Sequence, residues 1–282
     1  MPVADLHHTI VKARGASPDR YMLVLHGILG SGGNFRTVAK HLADACPTWG
    51  MVLVDLRGHG QSSAPAQSTL ADAANDLRAL EARLDRPVHG ALGHSFGGKV
   101  ALAYAAAREQ AGEPPLDQLW VLDASPSARP GVEREDDPLG IVRMLEALPQ
   151  PFESRDRFIE AVMAAGHVRA VADWLAMNVR RDDDGLRLRL DLGVIRSLLA
   201  SYFESDLWKV LEEGRAARSL HVVVGGLSRA LDTSDRERLA QLAARTPRVL
   251  VHTLERAGHW VHVDDPRGLH DVLKRALCDA PG

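Results

Sequence analysis

Short runs rich in Val and Leu alternate along this chain with longer segments of helical period, and that alternation restricts the fold more than any other feature. The short runs are His7 to Val11, Tyr21 to His26, Met51 to Asp55, Val88 to Gly93, Leu119 to Asp123, Leu220 to Val224 and Val249 to Leu254. Most are continuously apolar, which suits interior strands of a sheet covered on both faces. Helices are predicted between them, over Gly33 to Asp44, Leu70 to Leu84, Phe96 to Gln110, Ser234 to Arg245 and Pro266 to Leu277. In the second, Leu70, Ala73, Ala74, Leu77, Leu80 and Leu84 recur at helical spacing, while Asp72, Asp76 and Glu81 are expected to face water. The third is small or apolar from Val100 to Ala107, as a helix pressed against a sheet should be. Strand, helix and strand in this order give an α/β fold, a mostly parallel central sheet flanked by helices.

The alternation stops between Ser125 and about Arg218. Amphipathic helices are expected over Ile141 to Leu148, Arg157 to Ala165, Val168 to Val179, Val194 to Tyr202 and Leu207 to Ala216, with no buried strand among them. The charge runs Glu133 to Asp137 and Arg180 to Gly185 read as solvated loops. The expected organisation is therefore a core of residues 1–126 and 219–282 carrying an inserted helical cap of residues 127–218. A cap forms the mouth of a site and shields it from water. Met144, Leu148, Phe152, Phe158, Met163, Trp174, Met177, Tyr202, Phe203 and Trp208 supply apolar side chains either to a pocket or to the cap's own core.

Composition narrows the function classes. With 34 basic and 37 acidic residues the net charge is -3, which gives no global basic field for nucleic acid or an anionic membrane. Aromatic residues are only 5% and do not interleave with basic clusters, so a stacking platform for single strands is unsupported. No apolar stretch approaches a membrane span, and the N-terminus lacks the hydrophobic segment of a signal peptide. Cys46 and Cys278 lie far apart and form no CxxC, so neither a disulfide framework nor a thiolate metal site is expected. The expectation is a cytoplasmic protein in a reducing compartment, without stable membrane insertion.

The sharpest chemical signal is Gly93-His94-Ser95-Phe96-Gly97, a G-x-S-x-G between a predicted strand and a predicted helix. Flanking glycines permit a tight turn that exposes the Ser95 hydroxyl at the positive end of the helix, where the Phe96 amide points at a developing oxyanion. The bland alternative is that Ser95 merely caps that helix. A serine nucleophile needs a base. His259 follows the last strand across a loop containing Gly258, at the same sheet edge as Ser95. Thirteen histidines are present, so position rather than residue type singles it out. A carboxylate must then orient the imidazole, and two compete. Asp123 ends the run LWVLD, with a strand-end bond to the Ser125 amide as its bland reading; Asp232 follows GGLSRAL. Gly27, Gly30, Gly32 and Gly33 form a second loop able to bring backbone amides close to a small site. His262 and Asp264 lack the cluster that a metal needs and read as loop residues, and GGLSRA lacks the dinucleotide pattern; no metal or cofactor is called for.

Five segments together resemble the α/β-hydrolase superfamily: LHGILGSGGNF, VDLRGHGQS, GHSFGGK, LDASP and AGHWVHVDDP. Within it the chain is similar to the esterase-like group of bacterial YbfF-type esterases and animal abhydrolase domain 11 proteins. The resemblance spans nearly the whole chain. It implies a Ser95, Asp123, His259 triad, with Asp232 as the alternative acid, and an oxyanion hole from the amides of Ile28 and Phe96. It gives His26 a loop-shaping role and makes the segment around His59 a structural turn. Lys99 matches the group's GHSxGGK, or simply extends its ammonium to solvent. The implied activity is hydrolysis of a small or medium acyl ester, with amide, thioester and C–C bond chemistry open on the same scaffold.

Overall fold

The computed structural model describes residues 2–65, 68–131, 138–183, 185–213 and 215–278. Its strands are β1 His8–Val11, β2 Arg20–Leu25, β3 Trp49–Val54, β4 Val88–His94, β5 Leu116–Leu122, β6 Val179–Asp182, β7 Gly185–Leu188, β8 Ala217–Gly225 and β9 Val249–Leu254. Seven form one sheet in the order β1-β3-β2-β4-β5-β8-β9, parallel except for β1, which pairs antiparallel with β3 at the edge. The helices are α1 Arg36–Ala45, α2 Leu70–Arg83, α3 Phe96–Gln110, α4 Pro138–Ala147, α5 Arg155–Ala164, α6 Arg169–Ala176, α7 Leu192–Glu204, α8 Trp208–Glu213, α9 Thr233–Arg245, α10 Val261–Asp264 and α11 Pro266–Cys278.

The apolar runs become strands because both sheet faces are covered. Leu23, Leu25, Val52, Val54 and Ala91 point into a core shared with α2 and α3, whereas Met22, Val24, Met51, Leu53 and Leu92 point into one closed by α1 and α11. α2 begins with a reciprocal cap, in which the Thr69 hydroxyl accepts from the Asp72 amide and the Asp72 carboxylate from the Thr69 amide. Asp72 and Asp76 do not face water. Both are buried, and Asp76 receives Nε and Nη2 of Arg57 at 2.6 and 2.7 Å together with the Ala4 amide at 2.7 Å. The polar face of α2 is thus covered by the loop after β3, and burial raises the Asp76 pKa against the lowering by Arg57.

Between β5 and β8 lie α4 to α8, together with the antiparallel hairpin of β6 and β7. The hairpin corrects the expectation of a loop over Arg180 to Gly185. Most of its residues are partly or fully exposed, so burial imposed no period for the sequence to display. The other charge run, Glu133 to Asp137, lies outside the described residues. Val142, Leu145, Phe158, Val162, Leu175 and Ile195 build a separate core for this insertion, and Leu29 from the loop after β2 is part of it.

A second correction concerns the cysteines. Cys46, just past α1, and Cys278, at the end of α11, form a disulfide with Cα atoms 5.4 Å apart across a sequence separation of 232. α1 and α11 pack side by side, a neighbourhood set by sheet order and invisible in residue spacing. Among the described residues, no helix is long and apolar enough to cross a membrane.

Candidate active site

Sheet order decides which loops meet. The chain runs outward from β2 to β3 and then returns to place β4 on the other side of β2, so the loops leaving β2 and β4 diverge at a topological switch point. Ser95 leaves β4 there, beside the Gly27 to Gly30 loop that leaves β2. β5 pairs with β4 and is followed at once by Asp123; β8 and β9 come next in the sheet, and the loop after β9 carries His259.

Ser95 has φ 53° and ψ -119°, a positive φ that is uncommon for a side chain larger than glycine. Close packing holds this turn: a Cβ on Gly97 would stand 2.5 Å from the His26 carbonyl oxygen, and one on Gly93 would overlap the Gly97 carbonyl. The hydroxyl makes no capping bond to α3. It instead lies 3.0 Å from Nε2 of His259, whose Nδ1 is 2.7 Å from Oδ2 of Asp123. Asp123 is fully buried, whereas the His259 side chain is 41% exposed, so the assembly has a sealed end and an open one.

Asp123 also has positive φ, at 47°. Its carboxylate does not accept the Ser125 amide. Oδ1 accepts the Gly225 amide at 2.9 Å, and Oδ2 accepts the Ser228 hydroxyl as well as facing His259. Asp232 caps α9 by accepting the Asp235 amide at 2.9 Å and pairs with Arg129 at 3.0 Å, with no bond to His259. The sequence reading missed Gly225 and Ser228 as the carboxylate's holders. Their segment, GGLSRA, was read for an acid of its own, and its support of Asp123 depends on the β5–β8 pairing.

The loop after β2 is fixed from three sides. His26 Nε2 accepts the Leu56 amide at 3.0 Å, and its Nδ1 donates to the Gly27 carbonyl at 2.7 Å. His59 repeats the arrangement, accepting the Leu29 amide at 3.1 Å and donating to the Arg57 carbonyl at 2.9 Å. Each ring is neutral in this role, because an imidazole nitrogen accepts an amide only without its own proton. Burial agrees, lowering the His26 pKa and pushing that of His59 down to about 3. From the insertion, Asn178 donates to the Leu29 carbonyl at 2.7 Å, while Leu29 itself is held at φ 62°. Asn178 carried no sequence signal, since an amide side chain after an amphipathic helix is commonplace. Among the described residues, neither the Ile28 nor the Phe96 amide has a hydrogen-bond acceptor, leaving both as available donors.

Further contacts buttress the site. His94 is buried; desolvation foremost, then its neighbours His259 and His262, hold its pKa well below the ordinary value, and its Nε2 donates to the His259 carbonyl at 2.8 Å. His262 stacks on Phe35 at 4.5 Å, and burial pushes it down to about 4. Asp264 accepts the Gly258 amide at 2.9 Å, which shapes the loop before His259. Trp174 of α6 meets Trp260 at 5.5 Å, joining the insertion to that loop.

Lys99 does not reach solvent. Its ammonium donates to the carbonyls of Ser127, Tyr202 and Ser205 at 2.8, 2.7 and 2.8 Å, tying α3 to the segment after Asp123 and to the end of α7. Burial foremost, then the Arg129 charge, lower its pKa to about 8. Of the apolar side chains expected in the insertion, Phe152 and Phe158 belong to its core and Trp208 to the main core. Met144, Leu148, Trp174, Tyr202 and Phe203 are partly buried, and Met163 and Met177 are exposed.

A serine beside an imidazole that is itself backed by a buried carboxylate can carry out nucleophilic acyl transfer. Comparisons with known proteins agree at the level of fold. The chain is 26% identical over 263 residues to an sn-1-specific diacylglycerol lipase of Mus musculus, covering 91% of this chain and 80% of that protein. It is 24% identical to Esterase YbfF of Escherichia coli strain K12, covering 92% and 93%. The solved structure of a marine microorganism esterase superposes with TM-score 0.77 at 21% identity, covering 95% and 97%. The family model described as alpha/beta hydrolase fold matches residues 21–266, a span that runs from β2 into the start of α11 and contains Ser95, Asp123 and His259. With that span and this sheet order, the chain belongs to the α/β-hydrolase fold family.

Proposed function

We propose that the protein is a serine carboxylic-ester hydrolase acting on a small to medium acyl ester, in the esterase and lipase group that holds the YbfF-like and abhydrolase domain 11-like proteins. The observation that carries this reading is the hydrogen-bonded line from Ser95 through His259 to buried Asp123. His259 Nε2 takes the hydroxyl proton as Ser95 Oγ forms a bond to the ester carbonyl carbon. The carbonyl oxygen becomes an oxyanion held by the amides of Ile28 and Phe96. Asp123 keeps the Nδ1 proton in place and stabilises the imidazolium. That imidazolium gives its proton to the departing alkoxide, and water then repeats the sequence on the acyl-enzyme.

Esters are favoured over other acyl compounds by the chain's similarity to a diacylglycerol lipase and an esterase. Residues 127–218 act as the cap that sets acyl length over the core of residues 1–126 and 219–282. The bridge from Trp174 to Trp260 supports this, because it brings the insertion to the loop bearing His259. The test is a chain-length series of p-nitrophenyl esters beside matched amides and thioesters, on the wild type and on S95A. Ester turnover that S95A abolishes, with amides far slower, supports the reading. A faster amide or thioester reassigns the substrate, and unchanged ester turnover in S95A removes Ser95 from the chemistry.

A further inference from the structure

A cavity of about 540 Å³ opens where the hairpin of β6 and β7 meets the β1 and β3 edge of the core. Ser95, Asp123 and His259 line none of it. Four guanidinium groups do: Arg36 from the start of α1, Arg180 and Arg181 from β6, and Arg189 just past β7. Elsewhere the arginines are commonly paired, as Arg78 is with Glu113, Arg108 with Glu81, Arg196 with Glu146 and Arg238 with Glu212. Around this cavity the pattern differs. Among the described residues, Arg36, Arg181 and Arg189 have no side-chain partner, and Arg180 reaches only the Val179 carbonyl, at 3.3 Å.

Asp55 is the acid in the wall, and its oxygens are already engaged. Oδ1 accepts the Gly32 amide at 2.8 Å, and Oδ2 accepts the Gln61 amide at 3.1 Å and faces His7 Nδ1 at 3.1 Å. It binds the loop after β2 to the loop after β3, and its single carboxylate stands against four guanidiniums in the lining, so most of their charge is uncompensated there. Like charges drawn around one concavity repel, and they gain a favourable setting when a multivalent anion enters between them. A guanidinium presents two parallel N–H groups that match two oxygens of a phosphate or a carboxylate. The volume lies in the range of small-molecule sites.

We infer that this cavity is a binding site for a small anion carrying two or more negative charges, phosphate or carboxylate in kind, separate from the serine centre. One wall is formed by Asn178 and its neighbour Met177, and Asn178 also holds the Leu29 carbonyl, so an occupant would rest directly against the clamp on the loop after β2.

Isothermal titration of the full chain at about 0.1 M salt, with inorganic pyrophosphate, citrate and acetate in turn, tests the site. Pyrophosphate or citrate should saturate with a Kd below about 1 mM, and acetate should not. A preference for pyrophosphate assigns phosphoryl ligands, and a preference for citrate assigns polycarboxylates. R36Q, R181Q and R189Q should each weaken binding by about tenfold, since each removes a charge-assisted contact. S95A should bind as the wild type does. The side chains replaced are exposed, and thermal unfolding of each variant should match the wild type. The inference is overturned if neither multivalent anion saturates, if acetate binds equally, if the arginine variants bind normally, or if S95A abolishes binding.

Discussion

Replacing Asp123 by Asn separates the two acids sharply. Asp123 accepts on three sides, from His259 Nδ1 at 2.7 Å, from the Gly225 amide at 2.9 Å and from the Ser228 hydroxyl. An Asn has one acceptor oxygen, so its orientation decides the outcome. If the NH₂ turned toward the Gly225 amide, two donors would face each other in a fully buried site, at a cost of about 1–3 kcal/mol. The oxygen therefore stays on Gly225 and the NH₂ faces His259 Nδ1. That forces the imidazole proton onto Nε2, which then points a donor at Ser95 and cannot take its proton. The expected loss in kcat is roughly 10²- to 10⁴-fold. D232N makes a contrasting control, because Asn caps a helix as well as Asp does, and Arg129 keeps its contact with Asp235. Its kcat should stay within about twofold. Turnover of a p-nitrophenyl ester at one fixed pH, with thermal unfolding alongside, measures both. A D123N enzyme retaining more than about a tenth of wild-type kcat, or a crippled D232N, would remove Asp123 as the acid that orients His259.

Four further outcomes follow from the packing. Burial lowers the Lys99 pKa from 10.5 to about 8, so between those values the unfolded chain holds a proton that the folded one has released. Folding stability should therefore rise with pH across that window, by roughly 3 kcal/mol in wild type relative to K99M, and show no Lys99 slope below it; denaturant titrations at stepwise pH check the sign. Cleaving the disulfide by C278S should cost about 2–5 kcal/mol, read by the same titrations, because it frees a very long loop in the unfolded state. F158A should lose about 3–5 kcal/mol and depress all esters together, since Phe158 is fully buried in the insertion's core. W174A should instead change the ratio of long- to short-chain kcat/KM, and an unchanged ratio would remove Trp174 from the acyl path.

What could be read from the sequence follows how local the governing physics is. β2 and β3 were legible because burial on both faces demands an unbroken apolar run, and α3 because a helix against the sheet demands small side chains. Ser95 was legible for the same reason, as its turn tolerates little beyond glycine at Gly93 and Gly97. Contacts across the chain left no such trace. Ser228 serves Asp123 from 105 residues away, and Asn178 reaches Leu29 from 149. The cysteine pair depends on α1 and α11 being neighbours, which sheet order alone determines. Asp76 looked solvent-facing because its helix is amphipathic, and the return of Arg57 and of the N-terminal segment at Ala4 over that face buries it. Lys99 was ambiguous for a similar reason: the carbonyls that receive it belong to segments 28, 103 and 106 residues away.

In the proposed mechanism Ser95 Oγ is the nucleophile and His259 activates it. Incubating the intact protein with a fluorophosphonate and mapping the modified peptide by mass tests this most directly. One adduct per chain is expected, on the peptide containing Gly93-His94-Ser95-Phe96-Gly97, absent in S95A and strongly slowed in H259A. Modification of a different residue, or labelling of Ser95 at an unchanged rate without His259, would contradict it.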